Sequence, residues 1–534
     1  MTTSIYNAQA ETLTPEQAAL AQETPAAHSR AALAEVRRTW AGRSVFVLLS
    51  VAIVLTTLAY GTVHSWTLAV FQGSAALVVV LWMADAWLGG TLRVSRNALQ
   101  LPLLGLLIVG LIQLLPLGAG AASSGGGALS LTPTRSLSLD PYTTRLVLIK
   151  IASLLVYFAA ALAFTDSPRR LRTLVRTVTI FGFLLALFGL IQHFTSPTTI
   201  YWIRDLPASK PFGPFINSHH FAGYMELTLA LPLGLLFSGA VERDKRLLYG
   251  FAVAVMGIAL IMTNSRGGII SFFAEVCFLA AVSGFGRKQQ QAGEDEEKGG
   301  RARAAVVRVG LALALLISLF VGVVLLGGES VLSRFVGTVN TQDPTTGRAH
   351  FWSMTLDIIR DHPLLGAGLG AFGLAYTRYD TRNGLFRLEQ AHNDYLQVVS
   401  DAGIVGAILG LFFIVALFRM GFQRMQTKDT FRRGVALGAL AGCFAVLVHS
   451  FFDFTLHTTS NALLFLVLAA LATVNGRVEQ SDAGDKDKSR GRRRRRRRHR
   501  SHSGTPVSSS SSSNDGETPA VGQETGTVVA RDAG

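Results

Sequence analysis

Cysteine is nearly absent from this chain. Two stand among 534 residues, Cys277 and Cys443, both inside apolar runs, so a disulfide framework or cysteine metal cluster is excluded and both read as small core residues. Charge is sparse as well: Asp, Glu, Lys and Arg together make up 16%, well under the roughly 25% of an average soluble domain. The first 40 or so residues are polar and rich in Ala, Glu and Thr, without the short apolar core and small-residue cleavage site of a signal peptide. The first apolar stretch is therefore expected to stay as an anchor. No zinc-ligand spacing and no Ser/His/Asp arrangement occurs, and the glycine-rich GAGLGAF has neither a preceding strand nor a Walker lysine. That peptide is expected to be a tight turn rather than a nucleotide loop.

Apolar sequence is what the chain has in abundance. Hydrophobic residues make up 49%, with 53 glycines and 32 phenylalanines, the profile of a polytopic membrane protein. Stretches of about 20 apolar residues, enough to cross a bilayer, recur near 44–60, 67–88, 99–117, 147–164, 174–194, 219–238, 247–263, 267–283, 306–327, 403–420, 434–452 and 457–474. The expected fold is all-α, with about 12 transmembrane helices. Lys and Arg settle in alternate connections: Arg37, Arg38 and Arg43 before the first span, then Arg93 and Arg96, Arg169, Arg170 and Arg172, Arg243, Lys245 and Arg246. The series continues through Arg287, Lys288, Arg301 and Arg303 to Arg419, Arg424, Lys428, Arg432 and Arg433. The intervening connections at 61–66 and 453–456 carry none. By the positive-inside rule both termini and the basic connections are cytoplasmic, and the other set faces outward.

Three parts follow: a polar cytoplasmic segment 1–43 expected to be disordered, a membrane domain 44–476, and a tail 477–534. The tail holds seven consecutive arginines, Arg492 to Arg498, and six serines, Ser508 to Ser513. It is expected to be disordered, with the arginines on anionic membrane lipid rather than nucleic acid. Two outward segments are too long for simple turns, 118–146 and 328–402. The second lies between spans nine and ten and carries Arg334, Arg348, Arg360, Arg378, Arg382 and Arg387, a basic surface suited to an anionic ligand. Its periodicity in HFWSMTLDIIRDHP and its glycine turns imply that it is folded.

Four outward-facing peptides carry polar residues that a membrane helix holds for a reason. In SKPFGPFINSHHFAGYMELTLALP, Asn217 can cap a helix whose next turns put His219, Gly223 and Glu226 on one face. Glu226 would lie about 10 Å below the helix start, and a histidine one or two turns above is a candidate partner. In MTNSRGGIISFF, Arg266 sits in a connection of a few residues. A guanidinium there suits phosphate or diphosphate, with the glycines letting a ligand approach the backbone, or it is a snorkelling interfacial arginine. In TTGRAHFWSMTLDIIRDHP, Arg348 at the first turn of a helix opposes the helix dipole and is better directed at an anion. In EQAHNDYLQVVSDAGIVG, a wheel at 100° per residue sets Asn393, Asp394, Gln397 and Asp401 on one side, expected to be wet, and His392 with Tyr395, Leu396 and Val399 on the other. His392 would lie in the first turn, where the dipole disfavours imidazolium and leaves a neutral ring able to act as a base. A structural role is the alternative for it.

The ordered set FGPFINSHHFAGY, NSRGG, GRAHFWSMTLDIIRDHPLLGAGLGAF, AHNDYLQVVSDAGIVG and HSFFDFTLHTTSNALLF resembles the O-antigen ligase and polymerase superfamily of bacterial membrane glycosyltransferases, over roughly residues 140 to 475. The resemblance implies a GT-C-like, metal- and cofactor-independent enzyme at the outer face of the inner membrane. It would move a glycan from an undecaprenyl diphosphate carrier to a hydroxyl acceptor such as lipid A core, a growing polysaccharide or a protein. By motif, Arg266 and Arg348 would hold the diphosphate and His392 would activate the acceptor. Lys210, Asn217, His219, His220, Glu226, Asn393 and Asp453 would line the substrate site. Lys210 departs from an expected arginine, and the pair His219 and His220 from a more usual asparagine pattern. A ligase and a polymerase both fit, and a lipid-linked sugar transporter is the alternative from another class, though no internal repeat of the transporter kind is evident.

Overall fold

The computed structural model describes residues 39–117, 136–207, 209–283, 348–381 and 388–474, all within one unit spanning Met1–Glu479. The expected span at 306–327, the greater part of the N-terminal segment and the arginine-serine tail lie outside the described residues. The described chain is mostly helical. In chain order its helices are α1 (Trp40–Leu58), α2 (Ser65–Gly89), α3 (Gln100–Gln113), α4 (Pro141–Phe164), α5 (Pro168–Thr195), α6 (Ser218–Ser238), α7 (Arg246–Met262) and α8 (Arg266–Val282). They continue with α9 (Arg348–Asp361), α10 (Phe372–Tyr376), α11 (Asp394–Arg424), α12 (Thr430–His449) and α13 (Thr459–Thr473). Among the described residues, eight helices are long and apolar enough to cross a membrane: α1, α2, α4, α5, α6, α11, α12 and Arg243–Met262, which contains α7. Gln100–Gln113 and Thr459–Thr473 are shorter apolar helices.

The starts of these helices are written in local chemistry. Thr39, Asp140, Ser167, Asn217, Ser265, Asn393 and Asp429 each accept a backbone N–H of the first turn through the side chain, which satisfies donors the helix itself cannot. Pro141 and Pro168 follow two of these caps, where a missing N–H costs nothing.

Helix α6 is buried on all sides and α12 packs along it. Gly434, Gly438 and Gly442 recur every four residues on α12 and face α6. A Cβ on Gly438 would run into the carbonyl oxygen of Ala230, and one on Gly442 would lie 2.8 Å from the Ala230 Cβ. Small residues at this spacing let two membrane helices touch backbone to backbone. Around this pair the residues of α1, α4, α5, α7, α8 and α13 complete a single large apolar core.

The connections sort into two ends. At one end Arg93 bridges Asp85 (2.9 Å) and Asp166 (2.8 Å), and Arg170 holds Asp166 (3.1 Å) and the Gly42 carbonyl (3.0 Å). Thr39 also donates to Asp85. Asn97 reaches Thr473 on α13 at 2.8 Å. These belong to the basic connections picked out by the Lys and Arg pattern. At the other end lie the residues expected to share the opposite face. Thr459 binds the Thr62 carbonyl (3.1 Å), Ser218 the Thr263 carbonyl (3.1 Å) and Arg204 the ring of His64 (2.7 Å). A two-stranded antiparallel hairpin, β1 (Thr199–Ile200) and β2 (Arg204–Asp205), pairs Thr199 with Asp205 and Ile200 with Arg204 at this end.

Residues 348–381 and 388–391 build a small core from Ile358, Ala367, Phe372, Ala375, Tyr376 and Ala391. Gly366, Gly368 and Gly370 all have positive φ, so GAGLGAF is a run of turns. It docks on α11, where the helix is broken at Gly403 (φ 63, ψ −159). That break leaves room for the Leu364 carbonyl, which a Cβ at Gly403 would strike. Gln113 of α3 locks the junction, donating to the carbonyls of Leu365 (2.6 Å) and Asp401 (2.8 Å) and accepting from Leu369 N–H (2.9 Å).

Candidate functional site

The turn between α12 and α13 carries Asp453, whose carboxylate is almost fully buried and gathers three side chains from three distant parts of the chain. His392 Nδ1 lies 3.3 Å from Oδ1, Arg348 Nη2 3.8 Å from Oδ2, and His219 Nδ1 4.0 Å from Oδ2. The Phe454 N–H donates to Oδ1 at 2.9 Å. Burial alone would push this carboxyl up. The hydrogen bond with His392 and the positive potential of His219, His392 and His449 outweigh it and hold Asp453 well below the usual carboxylate range. An ionised Asp453 therefore anchors the Nδ1 side of His392 and leaves Nε2 as the ring atom available to a ligand. The ring itself is wedged between Phe454 (4.8 Å, edge to face) and Phe351 (6.2 Å, stacked).

His392 is not in the first turn of α11. Asn393 is the cap, accepting from Tyr395 and Leu396 N–H at 3.0 and 3.1 Å, so His392 precedes the helix. It has φ 52, a left-handed conformation that a non-glycine residue adopts at a cost. Tyr60, Thr62, Tyr201, Trp202 and Asn264 share this property, and among the described residues every such position lies in the connections of this end. Asn264 stands two residues before Arg266.

The polar side of α11 is the dry one. Asn393, Asp394, Gln397 and Asp401 are buried, the reverse of what the wheel led one to expect. Each is spent on holding the site end together. Asn393 reaches the Phe451 carbonyl (3.3 Å), Asp394 accepts from Ser450 Oγ (2.9 Å), and Gln397 accepts from Ala391 N–H (2.7 Å), while Asp401 accepts from Gly370 N–H (3.0 Å). In a membrane protein the apolar face turns to lipid, so the side with hydrogen-bonding capacity turns inward.

Glu226 also departs from expectation. It pairs not with a histidine above it on α6 but with His449 at the end of α12, Nδ1 to Oε1 2.8 Å, both side chains inaccessible. His219 points instead to Asp453, and His220 bonds Thr458 Oγ1 at 2.9 Å. The glycines of NSRGG leave room for this pair: a Cβ on Gly267 would lie 2.8 Å from His449 Cδ2 and 2.9 Å from Phe452 Cβ, and one on Gly268 3.3 Å from Glu226 Oε1. The first turn of α8, which bears Arg266, thus rests on the turn that bears Asp453. Arg266 is half-buried and has no ion-pair or hydrogen-bond partner among the described residues. Lys210 is exposed, and its contribution is its carbonyl, which accepts from Ser218 N–H at 2.9 Å. Asn217 caps α6 through His219 N–H at 2.9 Å.

Of the residues singled out from sequence, then, His392, Arg348, His219 and Asp453 come together directly, with Arg266 at the start of an adjoining helix. Asn217 and Asn393 serve as caps, and Glu226 and His220 lie behind the site. Sequence reasoning overlooked His449 and His457, although both fall inside the quoted HSFFDFTLHTTSNALLF. Their signal was position, a histidine at each edge of the connection between two apolar stretches. Among the described residues no three His, Cys, Asp or Glu side chains converge so as to hold a metal ion.

Fold and site together define a helical, multi-pass membrane protein with a polar histidine-, arginine- and aspartate-bearing centre at one end of its helices. Residues 251–413 match a family model described as O-Antigen ligase. The matched stretch is less than half of the chain; its similarity supports the O-antigen ligase and polymerase superfamily, which points to a glycosyltransferase-like enzyme. It contains Arg266, Arg348 and His392, while Glu226 precedes it and Asp453 follows it. No curated protein matches the chain.

Proposed function

We propose that this protein is a lipid-linked glycan transferase that moves a glycan from an undecaprenyl diphosphate carrier to a hydroxyl acceptor. A ligase acting on lipid A core is the first reading, and a polymerase extending a polysaccharide is the alternative within the same superfamily. The observation that carries the proposal is the convergence on Asp453. A partly exposed histidine is held by its Nδ1 beside a partly exposed arginine, with a second arginine, half-buried, at the adjoining helix start. In the reaction, His392 Nε2 takes the proton of the acceptor hydroxyl as its oxygen bonds the anomeric carbon. The bond from that carbon to the carrier breaks, and its electron pair passes to the diphosphate oxygen. Arg266 and Arg348 stabilise the charge gathering there. No metal takes part in this scheme.

The remaining proposals concern setting. The chain would have twelve spans in the inner membrane, with both termini cytoplasmic, the site on the periplasmic side, and the arginine run on anionic lipid. The test is transfer in vitro from a defined undecaprenyl diphosphate glycan. Lipid A core and a short glycan of the donor's own repeat are offered as separate acceptors to wild type, Arg266→Ala, Arg348→Ala and His392→Ala. Each variant should lose at least a hundredfold in kcat/KM, the usual scale of a general base or charge-stabilising group. Normal transfer by all three folded variants would overturn the mechanism. The acceptor that works separates ligase from polymerase.

A further inference from the structure

A second histidine, in the turn that carries Asp453, is built on the same plan as His392. His457 Nδ1 lies 3.0 Å from Asp394 Oδ1, and the side chains are 29% and 9% exposed, against 28% and 2% for His392 and Asp453. Asp394 is itself pinned, accepting from Ser450 Oγ at 2.9 Å and donating its backbone N–H to the Ser450 carbonyl at 2.9 Å. The His457 carbonyl accepts from Lys150 Nζ at 3.2 Å, which fixes the backbone of the residue as well. A carboxylate on Nδ1 selects the tautomer that leaves Nε2 as an acceptor. The pair ties the turn after α12 to the start of α11, and more than a quarter of the His457 side chain is left open.

The two dyads face one aromatic ring. Phe454 lies edge to face with His392 (4.8 Å, 76°) and with His457 (6.3 Å, 73°). An apolar ring in contact with two histidines whose Nδ1 is held by a carboxylate matches the chemistry of a sugar, whose C–H face is apolar and whose rim carries hydroxyls. We infer that His457, held by Asp394, is a hydroxyl-binding residue for the acceptor glycan. It would grip the sugar whose reacting hydroxyl is presented to His392, with Phe454 as the floor between them. The inference rests on the proposed transfer and names the part of the site that chooses the acceptor. His457 takes no proton in the reaction, so it sets binding and selectivity rather than the rate of chemistry.

The experiment uses full-length protein in nanodiscs with the undecaprenyl diphosphate glycan as donor, varying lipid A core oligosaccharide and the short repeat glycan in turn. His457→Ala should raise the KM for the accepted oligosaccharide roughly three- to tenfold, the weight of one hydrogen bond, with kcat and donor KM within about twofold of wild type. His457→Gln, which keeps an acceptor at similar reach, should recover part of the loss. An unchanged acceptor KM in His457→Ala overturns the inference. So does a fall in kcat as deep as that of His392→Ala, which would make His457 part of the chemistry. Equilibrium binding of the same two oligosaccharides to wild type and His457→Ala keeps this question separate from the transfer reading. Weaker binding by the variant supports the subsite even if no transfer occurs, and equal binding, or none to wild type, overturns it.

Discussion

Replacing Gly267 by alanine adds one methyl group at the place where α8 meets the turn after α12. Built on the backbone, that carbon lies 2.8 Å from His449 Cδ2, 2.9 Å from Phe452 Cβ and 3.1 Å from His449 Nε2, closer than carbon and nitrogen atoms tolerate. His449 cannot swing aside without leaving Glu226, whose Oε1 it holds at 2.8 Å with no water in reach of either group. Overpacking costs about 1–3 kcal/mol, and separating a buried hydrogen-bonded pair adds roughly 1–3 kcal/mol. Against this, alanine in a helix gains about 0.5–1 kcal/mol over glycine. The balance is a loss of about 1–5 kcal/mol. Gly73 is the control, a helical glycine with nothing within 4 Å of its would-be Cβ, where alanine should show only the propensity gain. Thermal unfolding in one detergent compares the two. Transfer should also fall in Gly267→Ala by more than tenfold, because the displaced His449 carbonyl holds the Asp453 N–H at 3.1 Å and a shift of the dyad is magnified in the rate. If Gly267→Ala is as stable as Gly73→Ala and merely binds donor less well, the glycine serves ligand approach and the packing argument is wrong.

Three further outcomes are expected. His449→Ala leaves Glu226 buried without its partner and should cost about 3–5 kcal/mol, whereas Glu226→Gln, which preserves a hydrogen-bonding group, should cost less than half as much in the same melts. Gly438→Leu sets a side chain against the Ala230 backbone and should abolish the monodisperse peak in size exclusion, while Gly250→Leu on α7, whose Cβ meets open space, should not. Asp453 has its carboxyl held down in the folded protein, so the stability it contributes is complete above the ordinary carboxylate value near ~3.9. That contribution is lost only as pH falls from there through the lower folded value. The melting difference between wild type and Asp453→Asn should therefore persist down to about pH 5 and shrink below pH 4. A difference that vanishes by pH 6 would show that the carboxylate is not stabilised as described.

Much of the helical layout could be read from apolar run lengths because a bilayer imposes them, and the cap Asn217 from the chemistry of helix starts, whereas Asn393 went unread as a cap because the helix was begun before His392. The grouping of Arg266, Arg348, His392 and Asp453 at one end followed from counting crossings. What could not be read is where a buried group finds its partner. Glu226 has histidines above it on its own helix, yet its partner stands 223 positions away, because three glycines bring α12 against α6 more closely than any periodicity reveals. The wheel of α11 was drawn correctly and oriented wrongly. Polarity tells which residues share a side, but in lipid the side rich in hydrogen-bonding groups faces protein.

The break at Gly403 has a bearing on how much of α11 is left to cross a bilayer. As one rod, the 31 residues of α11 would rise about 46 Å, far beyond a hydrocarbon layer of ~30 Å. From Gly403 to Arg424 the rise is about 33 Å, a fair match. The preceding two turns, with Asp394, are tied to Ser450, Gly370 and Gln113 rather than to the span below. The first residues of the lower part are held by the same loop, Ile404 N–H donating to the Pro363 carbonyl (2.9 Å) and Val405 N–H to the Leu364 carbonyl (3.4 Å). Gly403 is thus a fixed corner: it marks where the crossing part of the helix begins and assigns the two turns above it to the site.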